Sequence, residues 1–317
     1  MSGGIRHAAL SGGRGVSALK NVGASVHQRL KNASKKSGRS FNDLVQYYAL
    51  ERWLYRLSQS RHQNLFILKG ALMLVAWRAP ILRATRDIDL LARTSNDLEA
   101  IKSTVSEICQ TEVEEDGVVF DSESVATIRI AEDADYEGVR ATFTGRLATT
   151  RLAMQIDMGF SDVVTPGPVE INYPAILDYP APVLRAYNRE TAIAEKFEAM
   201  ISLGRLNSRM KDFFDVWMLA QTSDFHGADL STAVLATFRK RGTEFAATPQ
   251  VFEEDFALDA SKRSQWAGFL KRMRPSEAPP AFPDTLASIR MFLEPIHLSL
   301  HSGAAFERTW KHPGPWT

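Results

Sequence analysis

The chain is poor in cysteine: Cys109 is the only one in 317 residues, which excludes internal disulfides and cysteine-based zinc sites. Long hydrophobic runs are also missing. The longest uncharged apolar stretch, Gly70 to Trp77, is far below the roughly 20 residues that span a bilayer. No apolar signal core opens the sequence, so the expectation is a cytoplasmic protein without a membrane role. Ser11-Gly12-Gly13-Arg14-Gly15 is not followed by Gly-Lys-Ser/Thr and is no P-loop. His297 and His301 stand four apart, but no HExxH context accompanies them, and packing or surface roles are expected. Nothing in the order of residues supports a Ser-His-Asp hydrolase.

What is present is an ordinary globular composition, 44% hydrophobic and 24% charged, long enough for two domains. The net charge is only +1, but it is segregated. Residues 1–39 hold eight Lys/Arg and no acid, whereas residues 112–137 hold ten acids and one base, Arg129. Basic groups return at Arg239-Lys240-Arg241, Lys262-Arg263 and Lys271-Arg272-Met273-Arg274. Such clusters can attract a polyanion locally while the whole stays near neutral.

Residues 1–24 are rich in Gly and Ser without periodicity and read as a mobile arm. A helix is expected from Ser40, with Ser40 and Asp43 as a capping box and an apolar stripe through Phe41, Leu44, Val45, Tyr48, Trp53 and Leu57. Leu65–Leu68 reads as a strand ending at Lys69-Gly70, and Ala71–Trp77 as a helix stopped by Pro80. A strand over Arg83-Ala84-Thr85-Arg86-Asp87-Ile88-Asp89-Leu90-Leu91 and a helix from Asp97 to Gln110 follow. Strands are then expected at Val125–Ala131, Val139–Arg146 and Leu152–Met158. Five prolines between 166 and 182 mark a change of organisation. Helices are expected at Glu190–Leu203, closed by Gly204, and at Asp212–Gln221, with helical segments from Gly227 to about Arg274 and at Leu286–Phe292. The order is mixed α/β first and mainly α afterwards, which points to two domains.

Asp87 and Asp89 are the anomaly. In a strand, residues i and i+2 share a face, which sets these two acids side by side about 6–7 Å apart. They require a positive charge between them. Asp157, in Gln155-Ile156-Asp157-Met158, is a third acid amid apolar strand residues. Lys69-Gly70-Ala71 lies between strand and helix, where free backbone N–H groups suit a phosphate. Three carboxylates converging beside such a turn suit hard divalent cations, and paired Mg²⁺ ions serve phosphoryl chemistry. Taken alone, Lys196 also fits the solvent face of a helix, and Lys69 fits either a phosphate contact or the surface.

The order Gly70, Asp87-Ile88-Asp89, Ile156-Asp157 resembles the polymerase-β-type nucleotidyltransferase fold. More narrowly, the chain resembles the AbiEii/AbiGii family of toxin nucleotidyltransferases, to which the MenT toxins belong. Arg83-x-Thr85-x-Asp87-Ile88-Asp89 is similar to the family's Asp-x-Asp motif. Ala194-Glu195-Lys196-Phe197-Glu198-Ala199, Arg209-Met210-Lys211-Asp212-Phe213-Phe214-Asp215 and Arg241-Gly242-Thr243 are similar to later segments. Ala71 departs from it, because many members carry Gly-Ser or Gly-Gly where this chain has Gly70-Ala71.

The resemblance implies an α/β (α+β) fold. A mixed β-sheet flanked by helices (residues 40–185) would follow a basic, flexible arm (1–39) and precede a mainly helical domain (186–317). It implies metal binding by Asp87, Asp89 and Asp157, with Asp157 also matching the fold's general base. Lys196 and Asp212 take nucleotide-contacting or catalytic roles. Lys69, Gly70, Ala71, Arg83, Thr85 and Arg86 would surround the triphosphate. The implied activity is Mg²⁺-dependent transfer of NMP from an NTP to an RNA acceptor, the tRNA 3′ end. The implied context is a bacterial toxin–antitoxin or abortive-infection pair with a cognate antitoxin, and translation is the process blocked. A non-catalytic nucleotide- or RNA-binding module on this fold, or transfer to a protein or small molecule, stays open at this point.

Overall fold

Residues 14–79, 85–133, 136–273 and 280–317 are described by the computed structural model. Its first helix, α1 (Arg14–Ser37), occupies much of the segment expected as an arm. Val26 and Leu30 of α1 are fully buried in the first core, so from residue 14 onward the arm is a docked helix. The expectation for residues 1–13 falls outside the described residues. Helix α2 (Phe41–Gln59) starts where expected, but the Ser40 side chain makes no capping hydrogen bond, and the Ser40/Asp43 box does not form. Apolar contacts on nearly every side hold α2 in place, and its buried charges are paired. Arg56 donates to Asp116 at 2.7 Å, and Glu51 accepts from the Ile176 N–H at 2.7 Å.

Strand β1 (Phe66–Lys69) leads through Gly70 into the short α3 (Leu72–Ala76). Next come β2 (Ile88–Ala92) and α4 (Leu98–Cys109), the latter capped by Asp97, whose side chain accepts from the Ala100 N–H at 2.9 Å. The meander β3 (Val118–Asp133), β4 (Tyr136–Leu147) and β5 (Thr150–Gly159) is longer than expected. A register shift between Asp121 and Ala126 interrupts the β3 pairing, which hid its first half from strand periodicity. Two short strands, β6 (Val169–Asn172) and β7 (Val183–Ala186), lie among the prolines and were not expected. They are largely exposed, so no apolar alternation announces them.

The seven strands form one mixed sheet in the order β3-β4-β5-β2-β1-β7-β6. β2 pairs with β5, and β1 with β7, in parallel; the other pairs are antiparallel. After the sheet come α5 (Arg189–Leu203), α6 (Met210–Thr222), β8 (Phe225–His226), α7 (Gly227–Arg241), α8 (Glu254–Leu258), α9 (Ala260–Met273), α10 (Phe282–Ser302) and β9 (Thr309–Trp310). Asn188 caps α5 by accepting from the Thr191 N–H at 2.7 Å, and Gly204 at φ +46° closes it. Beneath the sheet, one apolar core gathers α1, α2 and α4; a second gathers α5, α6, α7 and α10. Leu74 of α3 belongs to the second core and Trp77 touches both. The turn after β1 therefore sits on the seam between them. No helix among the described residues is long and apolar enough to cross a membrane.

Candidate active site

Strand pairing sets four charged residues in one row across the sheet. Arg140 of β4 is the register partner of Asp157 on β5, Asp157 that of Asp89 on β2, and Asp89 that of Lys69 on β1. Asp87 joins the row from two residues upstream. One carboxylate oxygen from each of Asp87, Asp89 and Asp157 lies within 4.8 Å of the others, and all three residues are half-buried. Oxygen donors alone, converging this closely, fit a hard divalent cation such as Mg²⁺.

The positive charge that the sequence demanded has one source within the chain. Arg140 grips Asp157 as a fork, Nε to Oδ1 at 2.8 Å and Nη2 to Oδ2 at 2.7 Å. That hydrogen bonding raises the Arg140 pKa, and the charges of Asp157, Asp87 and Asp89 add to it. Gln155 also donates to Asp157, at 3.3 Å. Asp87 accepts from the Thr85 hydroxyl, and the Thr85 N–H donates to the Tyr47 hydroxyl at 3.2 Å.

Gly70 is fixed by two constraints at once. Its φ is +74°, and a Cβ placed there would stand 1.9 Å from Asp89 Oδ2. The turn can therefore approach the carboxylate only without a side chain. With five residues, α3 is too short for a developed helix dipole to draw a phosphate, contrary to the sequence argument. Ala71 is buried rather than presented to the cleft. Lys69 is not a surface group either, since its Nζ donates to Asp162 at 2.9 Å in a buried pair.

Opposite the sheet, α5 and α6 build the far wall. Lys196 Nζ bridges Asp212 at 3.0 Å and Asp215 at 2.9 Å, so it is not a solvated face. Arg209 pairs with Asp212 at 2.7 Å. Asp212 and Asp215 are each only 1% exposed. Burial pushes the Asp212 carboxyl up, but the Lys196 and Arg209 charges overcome it and hold the group down at about 2. Between the walls lies a buried ionic network. Arg241 donates to Asp162 at 2.9 Å and to Glu198 at 2.8 Å, and the Thr243 hydroxyl donates to Glu198 at 2.6 Å. Burial opposes ionisation of Asp162, yet the charges of Lys69 and Arg241 hold its pKa far below the usual range. Glu195 behaves in the opposite sense. Burial lifts its pKa to about 7 against the pull of Lys69, and it accepts from the Tyr187 hydroxyl at 2.8 Å.

A single cleft is lined by Lys69, Gly70, Asp89, Lys196, Asp212 and Arg241, with Lys211 and Glu195 beside them. It joins three oxygen donors on one wall to several cations on the other, an arrangement suited to a metal-bound polyphosphate. Asp87, Asp89, Asp157, Lys196, Asp212, Lys69, Gly70 and Thr85 thus sit around one space. Arg86 is exposed on the other side of the acids, bordering a groove with Gln46 and Gln155. Arg83 lies outside the described residues. His297 and His301 take packing roles, bonding the carbonyls of Ala246 at 2.6 Å and Phe245 at 2.7 Å. Sequence reasoning passed over Arg140, Asp162 and Glu195 as site residues. The alternation Arg140, Thr142, Thr144, Arg146 against buried Val139, Ala141 and Phe143 could have put Arg140 on the Asp157 face. Asp162 carries no such signal, because it stands in a loop.

Over residues 52–288 the chain matches the family model described as nucleotidyl transferase AbiEii toxin, type IV TA system. Among solved structures it is similar to JHP933 from Helicobacter pylori, at 13% identity and TM-score 0.49, covering 83% of this chain and 96% of that one. It is similar as well to a candidate nucleotidyltransferase from H. pylori, at 14% identity and TM-score 0.48, covering 83% and 98%. No curated protein matches the chain.

Proposed function

Because the chain belongs to the AbiEii nucleotidyl transferase toxin family of type IV toxin–antitoxin systems, we propose that it transfers NMP from an NTP to an RNA acceptor, the tRNA 3′ end, and so blocks translation. The protein is a nucleotidyltransferase and a toxin of that family, whose systems pair it with an antitoxin. The observation that carries the finer reading is the convergence of Asp87, Asp89 and Asp157 facing Lys196 across one cleft. Asp87, Asp89 and Asp157 would hold Mg²⁺, which when bound neutralises phosphate charge and aligns the reacting oxygens.

The chain's own groups divide the remaining work. Lys196, set by Asp212 and Asp215, meets the triphosphate as a point charge, and Lys211 adds to it at the cleft wall. Gly70 lets the turn approach Asp89 closely. The acceptor hydroxyl oxygen forms a bond to the α-phosphorus while the bond to the bridging oxygen breaks, and pyrophosphate leaves. Asp157 takes the hydroxyl proton. Arg140 orients that carboxylate, and each oxygen keeps lone-pair capacity beside its hydrogen bond. The division into residues 40–185 and 186–317 belongs to the same proposal, with the nucleotide between the two parts. A cytoplasmic location follows from an RNA target.

The test incubates purified protein with total RNA and each α-labelled NTP, with Mg²⁺ and with EDTA. Label in the tRNA fraction, lost with EDTA and in Asp89→Asn, is the expected result. Absence of label from every RNA with every NTP, in folded protein, would overturn the proposal.

A further inference from the structure

The face of the sheet that carries Asp157 is open. The helices of the first core pack on the opposite face, where Val139, Ala141, Phe143, Leu152, Met154 and Ile156 are buried. Pairing on the open face runs outward from the acids in register: Arg140 with Asp157, Thr142 with Gln155, Thr144 with Ala153, and Arg146 with Arg151. The path ends on two exposed arginines set directly opposite each other. Like charges in that position repel and call for an anion between them. Asp121, the β3 partner of Thr144, is a single acid on this part of the face. Exposed Val119 and Ile128 on β3, each at least half accessible, add apolar surface beside the path. β5 also begins well before its pairing with β2, and there its edge borders a groove lined by Gln46, Arg86, Thr142, Thr144, Arg151 and Gln155.

We infer that the open β4–β5 face is the track for the acceptor strand, a single-stranded nucleic acid. Its terminal hydroxyl lies at Asp157 and a backbone phosphate further along is gripped between Arg146 and Arg151. The inference rests on the RNA-acceptor reading above and assigns that acceptor a path distinct from the nucleotide cleft. The span fits: six residues of strand from Asp157 to Arg151 cover about 20 Å, roughly six nucleotides at a stacked rise of about 3.4 Å. The hydroxyl and amide groups between the ends suit sugar and phosphate oxygens, which make up much of any nucleic-acid contact set. A protein partner would also tolerate such a face, but it would have no reason to run from the arginine pair to the transfer site.

The decisive variant is Arg146→Gln with Arg151→Gln, compared with Arg93→Gln with Lys102→Gln, which removes the same charge from exposed positions off the track. Fluorescence anisotropy with a tRNA acceptor-end oligonucleotide reads binding over a salt series, and calorimetry reads NTP binding. The track variant is expected to bind the oligonucleotide about tenfold or more weakly at low salt, with the salt slope reduced by about 1.4 for two phosphate contacts at about 0.7 each. Its NTP affinity and melting temperature should match wild type. An acceptor trimmed to two nucleotides, too short to reach the arginines, should be used equally by both proteins. If wild type labels RNA and the track variant binds and labels it with unchanged affinity, the track is wrong while the function stands. An equal loss in the Arg93/Lys102 control also overturns it, because the effect is then net charge. If wild type labels no RNA at all, the functional reading fails and the track falls with it.

Discussion

Replacing Gly70 with alanine tests the geometry of the site at its tightest point. Two costs are separable. The first is conformational, because φ at this position is +74° and a residue with a Cβ gives up about 1–2 kcal/mol there. The second is steric. The new Cβ would stand 1.9 Å from Asp89 Oδ2, 2.6 Å from its Cγ and 2.7 Å from its Cβ, and overpacking of this kind costs about 1–3 kcal/mol. Gly70→Ala should therefore lose about 2–5 kcal/mol in urea unfolding followed by circular dichroism. Shortening Asp89 to alanine would leave the Cβ contact, so the informative background is Asp89→Gly. There the steric part vanishes, and Gly70→Ala should cost only about 1–2 kcal/mol. The double-mutant cycle then gives a coupling of about 1 kcal/mol or more. In the Asp89 background, displaced carboxylate geometry should also weaken Mg²⁺ binding measured by calorimetry. Equal costs in the two backgrounds would refute the argument that Asp89 is what demands glycine.

Three further outcomes follow from the same geometry. Asp87→Asn and Asp89→Asn should each abolish transfer without unfolding the protein, since Asn keeps the shape but not the charge that holds Mg²⁺; wild-type turnover in either would remove it from the metal site. Lys196→Ala should both weaken NTP binding and lower stability by about 3–5 kcal/mol, because two carboxylates only 1% exposed lose their shared cation. Lys196→Arg should recover part of the stability, and an unchanged melting temperature in Lys196→Ala would show that the bridge is not structural. Glu195, lifted by burial from 4.5 to about 7, holds its proton in the folded state where the unfolded chain has released it. The wild type therefore loses stability as pH rises from 4.5 to 7. Glu195→Gln should match wild type near pH 4.5 and exceed it by up to about 3 kcal/mol at pH 8; a gain independent of pH in thermal melts would contradict the assignment.

Much of this arrangement is legible in the sequence for a physical reason. β2 and β5 are buried on one side, so an acid inside either must point to the other, and period two fixes which acids meet. Asp87, Asp89 and Asp157 are found that way. Capping and closing residues do the same for α5, where Asn188 and Gly204 mark both ends. Long-range partners are not encoded locally. Asp162 finds Lys69 and Arg241 across 93 and 79 residues, and no spacing rule connects those positions. α1 escaped notice because only a few of its residues, Val26 and Leu30 among them, reach the core, and a Gly/Ser-rich segment gives little periodicity. The Ser40 box failed because a matching sequence supplies the groups for a cap without guaranteeing that the side chain turns back. β6 and β7 are four residues each, too short for periodicity to accumulate.

The ionic network that joins Lys69, Asp162, Arg241 and Glu198 bears on how the molecule comes apart. Its cations and anions come from β1, the segment after β5, and the helices α5 and α7. Melting the helical core alone would leave Asp162 and Lys69 on a folded sheet without Arg241. Melting the sheet alone would leave Arg241 and Glu198 without Asp162 and Lys69. Either half-melted form keeps a desolvated charge whose partner has gone, a cost of several kcal/mol. The two apolar cores are thereby bound to a common fate. Heat should carry the protein across one transition with matching calorimetric and van't Hoff enthalpies, and a protease should find the chain between them as resistant as the cores themselves.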